Sequence, residues 1–308
     1  MPRLVLTGGS GYLGRALTTF LTRHGWQVTL ISRHDPQDEA HFVAWDAQTL
    51  GAWVRELDGA DAVINLAGRS VNCRYNDDNK RLIRESRIHT TGLVARAISE
   101  AKNPPPVWLN ASSATFYRHA LDRPMDETDG DAGHGFSVDV VEAWENALFA
   151  PDLPHTRRVA LRLAMAFGPG KGGVYEAFSF LVKVGFGGPM AGGHQFVSWI
   201  HVHDFARSCL FLIEHPELSG PVNIAAPNPR TNAQFLSDLR RSLNIPVALP
   251  TMRWQLELGA LLMGTETELL LKSRRVVPTK LLEAGFQFQF EHWIDAARAI
   301  VASAVNKN

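Results

Sequence analysis

Short apolar runs alternate with amphipathic stretches through the first two thirds of the chain. The apolar runs predict strands at Arg3–Thr7, Gln27–Ser32, His41–Trp45, Ala62–Leu66, Val107–Ala111 and Arg158–Ala166. The stretches between them predict helices at Tyr12–His24, Leu50–Leu57, residues 77–101 and Ser137–Phe149. Strands that alternate with helices at this spacing are typical of a parallel sheet covered on both faces. Since crossovers in such sheets are right-handed, the pattern predicts an α/β fold with a doubly wound parallel sheet.

Beyond Gly168 the alternation weakens, and glycine and proline cluster at Gly168-Pro169-Gly170 and Gly187-Gly188-Pro189. This composition is typical of loops and predicts a loop-rich substrate lobe. Helical periodicity returns at Thr231–Leu243, where Thr231 and Gln234 have the spacing of a capping box, and at Trp254–Leu271 and His292–Val305. We therefore predict a nucleotide-binding Rossmann domain at residues 1–168, rejoined by residues 199–228. Residues 169–198 and 229–308 then form a smaller, discontinuous C-terminal lobe.

Composition narrows the function classes. The 308 residues are 45% hydrophobic and 20% charged, with 31 Lys plus Arg against 31 Asp plus Glu. Zero net charge argues against a general nucleic-acid binder. The cysteines, Cys73 and Cys209, match no metal spacing and predict a reducing compartment. No targeting segment and no run of about 20 apolar residues is evident, so we expect a cytoplasmic protein with no membrane partner and no metal.

The strongest chemical signal follows the first predicted strand, where Gly8, Gly11 and Gly14 repeat every three residues and lead into a helix. A pyrophosphate needs a tight turn that its backbone can approach closely, and a helix N-terminus that offers free N–H groups. The alternative is a tight turn without a ligand. We expect a dinucleotide to contact Gly8, Ser10, Gly11, Tyr12, Leu13 and Gly14.

The second predicted strand ends in Ser32-Arg33, where an enzyme for NAD usually has an acidic residue. A guanidinium suits the 2′-phosphate of NADP, although an ordinary solvated arginine is the alternative. Asp46 is a candidate acceptor for the adenine amino group or an ordinary turn aspartate. Small residues after the fourth strand let the backbone pass close to the cofactor; these are Leu66, Ala67 and Gly68.

Together these motifs resemble the extended short-chain dehydrogenase/reductase superfamily. Asn110 to Tyr117 looks like its Ser-Ser-x-x-x-Tyr segment, and Trp199 to Asp204 is similar to the Phe-Ile-His-Val-x-Asp segment of sugar-nucleotide epimerases. Ser32-Arg33 and Ser86-Arg87 are similar to those of the NADP-binding "epimerase family" subgroup, as is the C-terminal extension. In the subgroup the Ser-Arg pair stands at the end of a long helix, and the resemblance implies that Arg87, taken as that helix end, contacts the cofactor. The alternative is a cation that interacts with the helix dipole.

The superfamily's Tyr-x-x-x-Lys pair is missing. If Glu145 is the glutamate usually found four residues beyond the lysine, Val141 stands at the lysine position and Ser137 at the tyrosine position. Ser113 is then the best candidate for a catalytic group, as a hydrogen-bond donor to a substrate oxygen.

Two further residues are weaker candidates. Tyr117 is a candidate proton donor, with packing under the nicotinamide ring as the alternative. His201 is a candidate substrate residue, with a structural histidine as the alternative.

We therefore expect an NADP(H)-binding, epimerase-like oxidoreductase that acts on a small polar substrate such as a sugar nucleotide. The alternative is an NADP-binding regulatory or sensor protein without hydride transfer, which the missing pair favours.

Overall fold

The computed structural model describes residues 1–35, 40–264 and 266–305. Its strands are β1 Arg3–Thr7, β2 Gln27–Ser32, β3 His41–Ala44, β4 Ala62–Asn65, β5 Val107–Ser113, β6 Arg157–Leu163, β7 Met165–Phe167, β8 Phe196–Val197, β9 Trp199–His201, β10 Gly220–Ile224 and β11 Arg230–Thr231. Its helices are α1 Tyr12–Arg23, α2 Asp77–Glu100, α3 Phe136–Phe149, α4 Val174–Lys183, α5 Val202–Glu214, α6 Asn232–Ser242, α7 Arg253–Met263, α8 Glu268–Leu271, α9 Thr279–Glu283 and α10 Trp293–Val305. Single 3-10 segments occur at Ala52–Leu57 and Ala114–Phe116.

The central sheet has seven strands in the order β10-β6-β5-β4-β1-β2-β3, all paired in parallel. In strand β1, Leu4 and Leu6 pack into the core on the side of α1 and α5, and Val5 packs into the core on the side of α2. Because both faces of the strand are buried, its sequence is a continuous apolar run. The predicted doubly wound parallel sheet is confirmed.

A third apolar cluster lies outside the sheet and joins β7 and β9 to α4, α6 and α10. Phe235 of α6 stacks on Trp293 of α10 with ring centroids 4.2 Å apart. The Thr231 side chain accepts from the Gln234 N–H while the Gln234 side chain accepts from the Thr231 N–H, so the predicted capping box is confirmed.

Three predicted elements differ in the structure. The sixth strand does not run through to Ala166, because β6 ends at Leu163 and β7 leaves the main sheet to pair with β9. The helix predicted over Trp254–Leu271 is interrupted at Gly264, whose φ of +64° leaves the helical region. Helix α4 lies in a region predicted as loop, since its Tyr175, Phe178 and Val182 bury one apolar face.

The segment 273–277 is hydrogen-bonded to the middle of the chain and so fixes the position of the C-terminal part. The Met125 N–H donates to the Arg275 carbonyl, and the Val277 N–H donates back to the Met125 carbonyl. The Val276 N–H donates to Ser198 Oγ. This segment therefore forms a fixed wall beside the carboxyl ends of the strands. In the described parts of the chain no helix has the length and apolar content that a bilayer crossing needs.

Candidate functional site

The glycine turn after β1 is shaped by contacts that exclude side chains. Gly8 has φ +72°, and a Cβ there would lie 2.5 Å from the Ala67 backbone. A Cβ on Gly14 would lie 2.1 Å from the Gly9 carbonyl oxygen. Strand, turn and helix therefore approach each other as closely as backbone allows.

Gly11 differs from its neighbours. It is the N-cap of α1, no side chain caps the helix there, and a Cβ would meet nothing within 4 Å. The space in front of the helix terminus is therefore open, and the first N–H groups of α1 are available to an anion. This donor set fits a pyrophosphate.

A cavity of about 740 Å³ lies at this turn, and we call it the turn cavity. Its lining is Gly8, Ser10, Gly11, Ser32, Arg33, Trp45, Asp46, Ala47, Gln48, Leu66, Ala67, Gly68, Arg69, Leu82, Arg84, Glu85, Ser86, Ile88, His89 and Thr90. Nine of the residues predicted to bind a cofactor are therefore brought together: Gly8, Ser10, Gly11, Ser32, Arg33, Asp46, Leu66, Ala67 and Gly68.

Two predicted residues of the turn cavity are held by local hydrogen bonds. The Asp46 carboxylate accepts from Thr49 Oγ1 at 2.6 Å and from the backbone N–H groups of Gln48 and Thr49, which holds the pKa of Asp46 down at about 2. The Ser32 hydroxyl donates to the His34 carbonyl oxygen. The exposed Arg33 lies next to Ser32 in the lining.

A second cavity of about 320 Å³, the inner cavity, lies at the carboxyl ends of β5 and β6. Its lining is Leu13, Val71, Tyr75, Ile83, Arg87, Ala111, Ser112, Ser113, Ala114, Thr115, Phe136, Ser137, Val140, Val141, Trp144, Leu163, Ala164, Met165, Phe196, Val197, Ser198, Glu268, Lys272 and Arg274. Gly68 of the turn cavity touches Arg87 of the inner cavity, since a Cβ on Gly68 would lie 3.4 Å from Arg87 Cγ.

Arg87 was expected at the end of a helix, and this expectation is wrong, because α2 continues to Glu100. The alternative that it acts on the helix dipole is therefore wrong. Its Nη1 donates to the Ile83 carbonyl at 2.9 Å, and its guanidinium lies 5.0 Å from the Trp144 ring. Burial lowers the pKa of Arg87 to about 10. The guanidinium stands where the two cavities meet.

Ser113 lines the inner cavity. Its Oγ accepts hydrogen bonds from Thr115 N at 3.2 Å and Thr115 Oγ1 at 3.0 Å. Because a hydroxyl has two acceptor positions and one proton, both acceptor positions are used and the proton is left to donate. This arrangement suits a donor to a substrate oxygen.

Tyr117 is not in the lining of either cavity. It is 0% exposed, and its hydroxyl donates to Asn223 Oδ1 at 2.9 Å and accepts from Arg162 Nη1 at 3.2 Å. Arg162 in turn binds both carboxylate oxygens of Glu145, at 2.9 and 2.8 Å. The phenol therefore belongs to a buried network that ties α3 to β6 and β10, and the structure does not bring it to the cavity.

His201 and Tyr12 are also turned away from both linings. His201 is the N-cap of α5, where Nδ1 accepts from the His203 N–H at 3.1 Å, and burial lowers its pKa to about 4. The Tyr12 ring lies against Gly173, within 2.9 Å of a Cβ placed there, and burial raises the pKa of Tyr12 to about 12. Leu13, beside it, lines the inner cavity, and Gly14 acts through packing alone.

Ser137 and Val141, the residues expected at the positions of the Tyr-x-x-x-Lys pair, both line the inner cavity. Ser137 Oγ donates to Glu268 Oε2 at 2.8 Å, and Lys272 Nζ donates to Glu268 Oε1 at 2.9 Å. Side chains of the C-terminal extension therefore meet α3 in the wall of the inner cavity.

Apart from Arg87, the inner cavity is lined by four ionisable residues that sequence reasoning missed: Tyr75, Glu268, Lys272 and Arg274. Tyr75 supplies a phenol next to Ser137. The neighbouring Ser137 side chain lowers the pKa of Tyr75, but burial, helped by the charge of Glu268, outweighs this effect and raises the pKa. No spacing rule marks Tyr75, which lies in a polar stretch before α2, and the extension residues are more than 100 positions away from Ser137. The described residues contain no cluster of metal-ligating side chains.

Comparison with known proteins agrees with a nucleotide site at the glycine turn. Residues 4–225 match the NAD dependent epimerase/dehydratase family, and residues 254–300 match a domain of unknown function. The chain is 32% identical over 305 residues to the human epimerase family protein SDR39U1, covering 97% of this chain and 100% of the relative. It is 31% identical over 305 residues to the epimerase family protein YfhF of Bacillus subtilis, covering 97% and 98%.

Two solved structures extend the comparison. The crystal structure of human SDR39U1 (isoform 2) with NADPH has a TM-score of 0.87 at 30% identity and covers 97% of this chain and 99% of the other. UDP-N-acetylglucosamine 4-epimerase of Methanobrevibacter ruminantium has a TM-score of 0.77 at 17% identity and covers 100% and 99%, a likeness of fold alone.

Proposed function

The chain belongs to the NAD dependent epimerase/dehydratase family, and on that basis we propose that it is an NADP(H)-dependent oxidoreductase of the epimerase type, acting on a small polar carbonyl or hydroxyl compound. One observation carries the proposal: the turn cavity and the inner cavity meet at Gly68 and Arg87, on the carboxyl edge of the parallel sheet. Ligands of doubly wound folds bind at this edge. The human relative's structure contains NADPH, which fits the same assignment.

The residues present fit NADP(H). The open N-terminus of α1 at Gly11 receives the pyrophosphate, and Arg33 beside Ser32 receives the 2′-phosphate through charge-assisted hydrogen bonds. The nicotinamide half then passes Arg87 into the inner cavity. When bound there, NADPH supplies a hydride.

Binding is tested with Arg33. Calorimetry should show that the parent protein prefers NADPH over NADH, and that Arg33→Ala loses most of this preference. The expected loss in NADPH affinity is roughly tenfold to a hundredfold, corresponding to about 1.5–3 kcal/mol of charged hydrogen bonds. Equal affinities of the parent for NADPH and NADH would contradict the assignment.

The inner cavity contains groups for the proton steps. Ser113 donates its free proton to the substrate oxygen and so stabilises the charge that develops there. Tyr75 supplies the proton that this oxygen takes up. Burial raises the pKa of Tyr75, so the phenol keeps its proton near neutral pH. It gives the proton up only to a stronger base, such as the alkoxide that forms when the hydride reaches the carbonyl carbon. Ser137 and Glu268 beside it connect the phenol to Lys272.

A matched pair of variants tests the chemistry. Tyr75→Phe should lower NADPH-dependent reduction by roughly 10²–10⁴-fold while leaving NADPH affinity unchanged, as expected for loss of a positioned acid. Tyr117→Phe, which removes a phenol outside the cavity, should leave the rate constant per folded molecule near that of the parent. A panel of small aldehydes, ketones and sugar nucleotides, followed by NADPH absorbance, provides the rates. Equal rates of the parent and Tyr75→Phe would exclude the phenol as the acid.

A second function, an NADP-binding regulator without turnover, is favoured by Ser137 and Val141 at the positions of the catalytic pair. It predicts NADPH binding with no NADPH consumption across the same panel. Consumption with any member of the panel excludes it.

A further inference from the structure

Arg274 is unusual among the residues of the inner cavity because its side chain is buried without hydrogen bonds to the described residues. Its side chain is only 11% exposed, and within the described part of the chain Nε, Nη1 and Nη2 have no hydrogen-bond partner. Its nearest carboxylate oxygen, Glu268 Oε1, lies 3.8 Å from Nη2 and already accepts from Lys272 Nζ at 2.9 Å. A buried guanidinium without hydrogen bonds costs folding free energy, and a ligand that accepts its N–H groups would offset this cost.

The backbone of Arg274 is fixed. Its N–H donates to the Phe196 carbonyl at 2.9 Å, and its own carbonyl accepts from Ser198 Oγ at 2.7 Å. The guanidinium is thus held in the cavity wall by β8 and the segment 273–277. It shares the lining with Ser113 and not with Gly11, so it lies at the reacting end of the cleft and away from the pyrophosphate position.

The surrounding charges favour an anion of low charge. Three cations line the inner cavity, Arg87, Lys272 and Arg274, against one carboxylate, Glu268. The rest of the lining is mostly apolar, with Val141, Trp144 and other hydrophobic side chains. A guanidinium binds a planar carboxylate through two parallel hydrogen bonds. Around Arg274 itself, Glu268 lies 2.9 Å from Lys272 and 3.8 Å from Arg274, so the three groups together carry one net positive charge. A monoanion neutralises this charge, whereas a dianion such as a phosphate ester exceeds it.

From these observations we propose that Arg274 is the substrate-anchoring residue and that the substrate carries a carboxylate beside the reacting carbon. This inference rests on the proposed function, since it assigns the substrate class of the same cleft. It makes the substrate a carboxylate-bearing carbonyl or hydroxyl compound that places its carboxylate on Arg274 and its reacting oxygen on Ser113.

The test uses the smallest probes of each chemistry, so that shape does not decide the outcome. Acetate, its neutral analogue acetamide, and methyl phosphate are titrated by calorimetry into the full chain saturated with NADPH, at constant ionic strength. Arg274→Met keeps the length of the side chain and removes the charge. Arg275→Met is the matched control, because Arg275 lies outside both linings, with Nη1 donating to the Asp122 carbonyl.

We expect the parent and Arg275→Met to bind acetate more tightly than methyl phosphate or acetamide. Arg274→Met should bind acetate at least about tenfold more weakly than the parent does. Without any anion, the melting temperature of Arg274→Met should equal or exceed that of the parent, because a buried charge without hydrogen bonds has been removed.

Three results would overturn the inference. Acetate that binds the parent and Arg274→Met equally, or neither, removes the anchoring role. Tighter binding of methyl phosphate shows a phosphate site in place of a carboxylate site. A loss of NADPH affinity in Arg274→Met assigns the guanidinium to the cofactor. If the parent fails to bind NADPH, the proposed function fails, and the acetate titration repeated without cofactor still decides the role of Arg274.

Discussion

Two glycines of one turn should respond to the same added methyl group in opposite ways. In Gly14→Ala the new Cβ lies 2.1 Å from the Gly9 carbonyl oxygen and 2.3 Å from Gly9 Cα. These are backbone atoms that cannot rotate away, and forcing a methyl group into a packed site costs about 1–3 kcal/mol. Alanine recovers about 1 kcal/mol of helix propensity. Contacts this short to fixed backbone belong to the upper end of that range, so we expect the free energy of unfolding to fall by about 2 kcal/mol.

In Gly11→Ala the added methyl group meets nothing within 4 Å, and φ −77° with ψ 178° is open to alanine. Alanine is a poorer N-cap than glycine by roughly 0.5–1 kcal/mol, which is offset by about 0.4–1 kcal/mol from a less flexible unfolded chain. The free energy of unfolding should therefore change by less than about 1 kcal/mol. The methyl group stands in front of the helix N–H groups, so NADPH affinity should fall tenfold or more, through loss of charge-assisted hydrogen bonds.

The assay measures each quantity separately. Thermal unfolding without cofactor should place Gly14→Ala about 4 °C or more below the parent and Gly11→Ala within about 2 °C of it. Titration with NADPH, followed by its fluorescence, gives the affinities. The reasoning is refuted if Gly14→Ala unfolds at the parent's temperature, or if Gly11→Ala binds NADPH as the parent does.

The remaining predictions concern His201 and Arg87. Folding lowers the pKa of His201 from 6.5 to about 4. Between these pH values the unfolded chain binds a proton that the folded chain does not. The free energy of unfolding should therefore fall by about 3 kcal/mol as the pH drops from 6.5 to 4. His201→Asn keeps a side-chain acceptor at the N-cap and should flatten this part of the profile in urea unfolding; an unchanged slope would assign the acid sensitivity to other groups. Arg87→Met should weaken NADPH binding about tenfold without lowering the melting temperature, and a lower melting temperature with intact affinity would make Arg87 structural.

The sheet and the turn cavity were predictable because they follow from local patterns. Leu4, Val5 and Leu6 alternate between two cores, and Gly8 and Gly11 are three residues apart. The strand pattern and the glycine pattern can therefore each be recognised within a short window of sequence. Neighbouring glycines hid helix α4, although its apolar residues have helical spacing.

The inner cavity was not predictable in the same way. Tyr75, Ser137 and Arg274 come from three distant segments and share one lining. Arg274 reaches it because the segment 273–277 is hydrogen-bonded to Met125 and Ser198. Tyr117 shows the converse error. Its place in a Ser-Ser-x-x-x-Tyr pattern suggested chemistry, but the described contacts bury it on Asn223 and Arg162. Sequence spacing indicates which strand end a residue follows, and it does not indicate which way the side chain turns.

The two cavities also differ in where along the chain their walls are encoded, and this difference has a consequence for how such proteins diverge. Every residue that lines the turn cavity lies between Gly8 and Thr90, whereas the wall of the inner cavity reaches to Arg274. Substitutions in the last quarter of the chain therefore reshape one cavity and leave the lining of the other as inherited. Descendants of one ancestral sequence can thus change the inner cavity while natural selection preserves the turn cavity, because part of the inner wall is encoded in a stretch of the gene that the turn cavity does not use.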